Sequence, residues 1–187
     1  MDRRQRKSRE AIFRAFTELL QENKSDHITV SKIIERADVG RATFYAHFET
    51  REALIEALCQ DLFCHIFDAM NDAQQDHRHL FQCEAPQSVF EHLFRHLRIN
   101  DHQILRLLTA QCDGLFVECF RDELGKLLQH QPHILAEGAK RGLPEDYWLS
   151  HVIDSFIGTV RWWYAHGFSI SPEEVTDYFL KANQMHE

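Results

Sequence analysis

Glycine and proline are scarce in this 187-residue chain, which contains seven glycines and four prolines. Their scarcity argues against a collagen-like or linker-rich architecture, and no Ser/Gly-rich or Pro-rich tract marks a disordered segment. Hydrophobic residues make up 44% of the sequence, enough to form a buried core in a chain of this length. The composition therefore predicts a helix-rich globular protein.

The sequence also lacks a long hydrophobic run. The longest stretch without Asp, Glu, Lys or Arg, Trp162–Pro172, is far shorter than the roughly 20 apolar residues that a membrane-spanning helix needs. The first ten residues, MDRRQRKSRE, include no apolar segment typical of a secretory signal. Five cysteines, an odd number without secreted-domain spacing, favour a reducing compartment. We expect a cytoplasmic protein without a membrane partner.

Recognisable catalytic motifs are absent as well. The sequence contains no glycine-rich phosphate loop, nucleophile elbow or HExxH segment, and its carboxylates form no recognisable pair. We therefore expect neither an enzyme nor a cofactor.

Histidine is abundant, with thirteen residues, and raises the question of a metal site. His92 and His96 are four residues apart on a predicted helix, a spacing that permits two metal ligands. Because no second cysteine–histidine pair follows at zinc-finger spacing, we interpret them as a solvated polar face and expect no metal. Weaker candidates for metal or redox chemistry are His77 with His79, Cys59 with Cys64 and His65, and Cys112 with Cys119.

Charge is distributed unevenly along the chain. Residues 1–50 carry 10 Lys and Arg against 8 Asp and Glu, whereas residues 51–187 carry 11 against 21. A mildly basic end on an acidic body is typical of a protein that approaches nucleic acid with one end only.

Hydrophobic spacing over residues 12–48 predicts three helices. Ile12 to Leu20 form one apolar stripe, and Thr29 can cap a short second helix that runs to Arg36. Asp38 tolerates the left-handed backbone of a sharp turn between helices. In the third helix, Phe44 and Phe48 share an inner face, which leaves a small and polar face outside. This arrangement is a helix-turn-helix, although a plain three-helix cap fits the spacing about as well.

The segment Ile28–Leu54 resembles the DNA-binding segment of the TetR/AcrR family of bacterial transcription regulators. The resemblance is carried by Ala37-x-Val39-x-Arg41-x-Thr43-Phe44-Tyr45-x-His47-Phe48, followed by Arg51-x-x-Leu54. It implies an all-α fold of about nine helices. A three-helix DNA-binding domain would span residues 1–50, helix four from about residue 51 would connect, and an effector-binding and dimerisation domain would span 51–187.

The resemblance also implies contacts with double-stranded DNA. Arg41 and Thr43 take the positions that reach base edges, and Ala42 can touch a thymine methyl group. The positions that contact phosphate are occupied by Thr29, Tyr45, His47 and Arg51. From charge and placement alone, Lys32 is a further phosphate contact.

The sequence departs from the family pattern at three positions. Asp38 replaces the usual glycine of the turn, Gly40 replaces a serine that often caps the third helix, and Ala42 replaces a frequent glycine. We expect these changes to affect which operator is bound. The basic amino-terminal arm, Arg3, Arg4, Arg6, Lys7 and Arg9, either contacts DNA or forms a disordered solubilising tail.

Aromatic side chains of the larger domain are candidates to line the effector pocket that the resemblance implies. They are Phe63, Phe67, Phe94, Phe116, Phe120 and Trp163, although most aromatics at helical spacing serve as core.

The last two predicted helices are amphipathic and suit an intermolecular four-helix bundle. Ser171-Pro172-Glu173-Glu174 gives the second of them a clear capping signal. The predicted dimer contacts are Leu149, Val152, Ile153, Phe156, Val160, Val175 and Phe179.

Together these features predict a homodimeric repressor in the bacterial cytoplasm, associated with the nucleoid through a palindromic operator and released from it by a small-molecule effector. Control by a protein partner, or by a metal or redox signal, is the alternative.

Overall fold

A computed structural model describes residues 3–22, 27–70, 88–99, 108 and 114–185. Within these ranges the chain forms nine helices and no strand, which confirms the all-α prediction. The helices are α1 Arg3–Glu22, α2 Val30–Ala37, α3 Arg41–His47, α4 Arg51–Met70, α5 Val89–Ile99, α6 Gly114–Gln129, α7 Pro132–Lys140, α8 Glu145–Ala165 and α9 Pro172–Ala182.

The first three helices form a small head, in which α1 packs against both α2 and α3. Its core includes Phe13, Phe16, Ile33 and Phe44, each at most 2% exposed. A single buried face per helix is enough to hold such short segments together, because burying one large apolar side chain stabilises the fold by about 1.5–3 kcal/mol.

Local signals begin and end the short helices as the sequence predicts. The Thr29 side chain accepts a hydrogen bond from the backbone N–H of Lys32 at the start of α2. Asp38 ends α2 in the left-handed region, with φ 51° and ψ 49°. Gly40 precedes α3 without a side-chain cap, and Thr50 accepts a hydrogen bond from the N–H of Ala53 at 3.1 Å. The turn that sets the direction of α3 is therefore determined by residues within the turn itself.

The helix α4 joins the head to the larger body. It packs against α6 and α5, while α8 contacts α6, α7 and α9, and α9 also contacts α5. None of the helices within the described ranges is long and apolar enough to cross a membrane.

The predicted pocket aromatics lie in the core of this body. Phe63, Phe94, Phe116, Phe120 and Trp163 are fully buried. Their rings contact one another or share a neighbour: Phe63 lies 5.0 Å from Phe120, and Phe94 lies 5.7 Å from Trp163 between ring centroids. The Phe67 side chain lies outside the described residues. The described aromatics thus form one packed cluster.

The residues predicted as dimer contacts are largely buried within the single chain. All seven, Leu149, Val152, Ile153, Phe156, Val160, Val175 and Phe179, are only 0–8% exposed within the single chain. They face α5, α6 and the chain's own core, because the most hydrophobic face of an amphipathic helix is the one that its own fold buries. Little of the surface of these seven side chains is therefore exposed on the single chain.

The interpretation of His92 and His96 as a solvated face is wrong. Their side chains are 0% and 1% exposed, and their Nε2 atoms lie 3.1 Å apart. Because α5 packs against both α4 and α9, it is buried on more than its apolar face. Of the other candidates for metal or redox chemistry, His77, His79, Cys112 and the His65 side chain lie outside the described residues.

A helix that the sequence pattern did not predict, α7, packs on α8. Pro132 occupies its first position, the placement in which a proline costs no helical hydrogen bond. The contact with α8 is close at Gly138, where an added Cβ would lie 2.5 Å from the Trp148 ring.

Candidate nucleic-acid interface

The helix α3 presents a short exposed face on the outside of the head. Phe44 is fully buried and Phe48 is 3% exposed, so both fix the inner face of the helix. Arg41 and Ala42 are exposed and Thr43 is half-buried on the outer side. The structure thus brings together the three residues that the resemblance assigns to base edges.

The side chains predicted to contact phosphate surround this face. Thr29 and Lys32 are exposed at the start of α2, Tyr45 is 48% exposed, and Arg51 is half-buried at the start of α4. The Arg51 Nε lies 3.2 Å from Glu52 Oε1, so a phosphate would compete with this carboxylate for the guanidinium. Tyr45 is held with its ring edge-on to Phe44, at 5.5 Å between centroids.

Thr29 and Lys32 are positioned by contacts within the head. The Thr29 oxygen accepts its cap hydrogen bond and keeps its own hydroxyl proton available as a donor. The Lys32 ammonium donates to the carbonyl of His27 at 3.0 Å and has two further protons. Both side chains can therefore donate to an anion without breaking these contacts.

Ser31 is a residue of this surface that the sequence analysis missed. Its hydroxyl oxygen lies 3.4 Å from an Arg41 guanidinium nitrogen, so α2 orients the side chain of the predicted base contact. A serine two positions after a cap gives no sequence signal for this role, since the contact depends on how α2 crosses α3.

His47 differs from the other predicted phosphate contacts because its imidazole is engaged within the head. Its Nε2 lies 2.7 Å from the Ser8 hydroxyl oxygen. Ser8 can donate its proton to the carbonyls of Arg4 or Gln5, at 3.1 and 3.0 Å, and accept the Nε2–H of His47. Burial, and after it the nearby Arg9 charge, lower the pKa of His47, which favours the neutral ring.

Arg9 joins the head to α4. Its guanidinium lies 2.8 Å from the Asp61 carboxylate and stacks over the rings of Phe13 and Phe48, with the guanidinium carbon 4.7 and 5.3 Å from their centroids. One side chain therefore contacts α1, the residue that ends α3, and the connecting helix. The pair fixes the head against α4.

The amino-terminal arm is helical from Arg3, so the interpretation as a disordered tail is wrong. Its first turns border α3 across a cleft of about 550 Å³. The residues that line the cleft are Arg4, Gln5 and Ser8 from α1 and Ala42, Thr43, Ala46 and His47 from α3.

Cysteine and histidine chemistry has weak support in the body. Burial raises the pKa of the Cys59 and Cys119 thiols, which reduces their thiolate fraction and their reactivity. Among the described residues, no group of three or more His, Cys, Asp or Glu side chains is placed to hold a metal ion.

An exposed apolar face remains on α8 and α9. Trp162 and Tyr178 are 42% and 51% exposed, with ring centroids 6.3 Å apart. They border a mainly apolar cleft of about 340 Å³, which Gly158 and Ala182 also line. Phe179, one of the buried residues predicted for dimer contact, also lines this cleft.

Two family models match most of the chain. One, described as bacterial regulatory proteins of the tetR family, matches residues 12–58, and the other, described as a transcriptional regulator C-terminal region, matches residues 84–184.

A solved structure of a TetR transcriptional regulator from Streptococcus agalactiae is 32% identical in sequence. The match covers 97% of this chain and 96% of that one, with a TM-score of 0.71. The uncharacterized HTH-type transcriptional regulator YxbF of Bacillus subtilis is 37% identical over 75 residues, which are 39% of this chain and 20% of YxbF. RolR, solved in complex with resorcinol, shares the fold at 20% identity, with a TM-score of 0.57 over 97% of this chain and 90% of RolR.

Proposed function

Because the chain belongs to the TetR family of DNA-binding transcription regulators, we propose that it acts as a homodimeric repressor on a palindromic operator and is released by a small-molecule effector. The observation that carries the DNA-binding part is the outer face of α3, where Arg41, Ala42 and Thr43 stand clear of the buried Phe44. In this proposal the head spans residues 1–50 and the effector-binding and dimerisation domain spans 51–187.

Each α3 enters a major groove with its exposed face toward the base edges. The Arg41 guanidinium can donate two hydrogen bonds to one guanine, and the Ala42 methyl can contact a thymine methyl. Phosphate contacts from Thr29, Lys32, Tyr45 and Arg51 set the position of the head on the duplex. His47 would add a further phosphate contact in place of its hydrogen bond with Ser8. Two heads related by a twofold axis then require a palindrome, and an occupied operator excludes the polymerase at the nucleoid.

The dimer contact is proposed on the exposed face of α8 and α9 around Trp162 and Tyr178. These large aromatics are costly to leave in water, and small residues such as Gly158 and Ala182 beside them allow a partner helix to approach closely. Trp162→Ala together with Tyr178→Ala would shift the protein toward monomer in analytical ultracentrifugation, while the helical content stays that of the wild type.

The effector is proposed to enter the aromatic cluster of the body, among Phe63, Phe94, Phe116, Phe120 and Trp163 together with Phe67. Resorcinol, the ligand in the RolR structure, is a small aromatic molecule, and the fold is shared. The body is joined to the head through α4 and the Arg9–Asp61 pair, so a displacement of α4 would change the spacing of the two heads.

The test of the DNA-binding part is selection of bound sequences from a random DNA pool by the purified protein at a stated near-physiological salt concentration. A palindromic consensus that Thr43→Ala loses supports the proposal. Tyr45→Phe is the comparison variant: it loses only the hydroxyl of a proposed phosphate contact, so it should bind more weakly and keep the consensus. No enrichment by a folded dimer would contradict it.

A reporter gene behind the selected operator then tests the sign of regulation. Reduced transcription that a small molecule restores supports a released repressor. Increased transcription would mean that the protein is an activator. In a separate measurement, a melting temperature of the purified protein that rises with added cell protein and with no small molecule would favour control by a protein partner.

A further inference from the structure

The cleft between the first turns of α1 and α3 has one wall, formed by Arg4, Gln5 and Ser8, to which the proposed function gives no DNA contact. Its α3 side carries Thr43 and His47, next to the face that is proposed to read bases. Its volume of about 550 Å³ lies within the roughly 300–1,000 Å³ typical of clefts that hold a ligand group. Any group that fills it would be in contact with both helices.

The helical geometry of α1 places the basic residues of the arm on different sides of the helix. At about 100° per residue, Ser8 lies only about 40° from Arg4 around α1, whereas Arg6 lies on the opposite side. Arg4 lines the cleft, while Arg6 forms an ion pair with Glu10 at 3.6 Å and Arg9 is bound to Asp61. The positive charge of the cleft therefore comes from Arg4.

The side chains around the cleft suit an anion. Arg4 carries a planar group of five N–H donors, Gln5 has an amide NH₂ and Thr43 has a hydroxyl, and no carboxylate is among the lining residues. A phosphodiester is an anion whose oxygens only accept hydrogen bonds. The donors of the cleft can satisfy its acceptor oxygens, and the guanidinium can pair with its negative charge.

We propose that this cleft holds a phosphodiester of the operator strand that flanks the groove entered by α3, with Arg4 as its charged ligand and Gln5 as a second donor. This inference rests on the proposed DNA-binding role of α3. It makes the amino-terminal turns of α1 a DNA-contacting element in their own right, one that adds affinity on every sequence and no base preference.

The Ser8–His47 hydrogen bond has a positioning role in this arrangement. It ties α1 to α3 at 2.7 Å, so the two walls of the cleft keep a fixed separation before DNA arrives. A preformed cleft binds the backbone without first ordering a flexible arm.

The experiment measures affinity by fluorescence anisotropy for a selected operator and for a scrambled duplex, between about 50 and 200 mM salt. The proteins are the wild type, Arg4→Ala, Arg4→Lys, the matched control Arg6→Ala, and Thr43→Ala. Circular dichroism melting of each variant checks that the head is folded.

In Arg4→Ala, we expect weaker binding to both duplexes and a slope of log affinity against log salt that is smaller by about 1 for each head. Arg6→Ala and Arg4→Lys keep the wild-type slope. An Arg4→Ala slope equal to that of the wild type overturns the proposal, even where Thr43→Ala still abolishes the operator preference. A wild-type protein that binds both duplexes equally instead contradicts the proposed function of α3.

Discussion

Replacing Gly138 in α7 by alanine tests the packing of the body most directly. An added Cβ would lie 2.5, 2.6 and 3.0 Å from Cδ1, Cγ and Cβ of Trp148. These atoms are the base of the side chain, and the indole is held by a 2.8 Å hydrogen bond from Nε1 to the carbonyl of Ile134 and by the Arg141 guanidinium 4.6 Å from its ring. The ring therefore cannot move aside cheaply.

The same substitution at Gly125 in α6 is the matched control. There the new Cβ would meet Ile153 Cδ1 at 3.6 Å, an ordinary contact. Alanine in a helix interior is favoured over glycine by about 1 kcal/mol, so Gly125→Ala should stabilise the fold by about that amount. At Gly138 an overpacking cost of about 3 kcal/mol opposes the same gain and leaves a net destabilisation of about 2 kcal/mol.

The two variants should thus differ by about 3 kcal/mol, or roughly 6–12 °C in Tm for a chain of this size. Differential scanning calorimetry at one protein concentration measures the difference, because the Tm of an oligomer depends on concentration. A Gly138→Ala protein that melts at or above the wild-type temperature would refute the packing of α7 on α8.

Three further predictions concern the head and the cysteines. Because burial lowers the pKa of His47, the folded state favours its neutral ring, and this contribution to stability is complete above about pH 6.5 and lost as the pH falls through the lowered pKa. In the His47→Gln protein, Tm should therefore decrease less as the pH is lowered below about 6.5. A profile of Tm against pH equal to that of the wild type would contradict this contribution of His47. Arg9→Ala should lower the free energy of unfolding in urea by about 1 kcal/mol, because the Arg9 and Asp61 side chains of the ion pair are only partly buried. Arg6→Ala removes an exposed ion pair with Glu10 and should have no measurable effect. Cys59, buried and with a raised pKa, should react with iodoacetamide at neutral pH only after unfolding; rapid modification of the native protein, located by mass spectrometry, would contradict this.

The local signals in the sequence were sufficient for the head. The Thr29 cap, the left-handed Asp38 and the inner face of Phe44 each depend on residues within one or two turns, so the sequence alone specifies them. The same holds for the capping box of Ser171 and Glu174, which is present at the start of α9. Such short-range geometry is decided by backbone dihedrals and nearby hydrogen bonds.

Predictions that depend on the neighbour of a helix were less successful. Phe156 and Val160 are as hydrophobic as residues of a dimer interface, but both are buried in the chain's own core. His92 and His96 have the polarity of a surface, but α5 is enclosed on more than one side. Hydrophobic periodicity shows which face of a helix is apolar, and it carries no information about which element covers it.

The sequence by itself thus determined the helical class, the family and the order of α1 to α4, because periodicity, caps and the segment around Thr43 are properties of nearby residues. Only the tertiary structure decided that Arg4 and Ser8 face α3 across a cleft, that Arg9 binds α4 through Asp61, and that Trp148 leaves no room for a side chain at position 138. Each of these contacts joins residues on different helices, whose separation and crossing angle are set by the packing of the whole core.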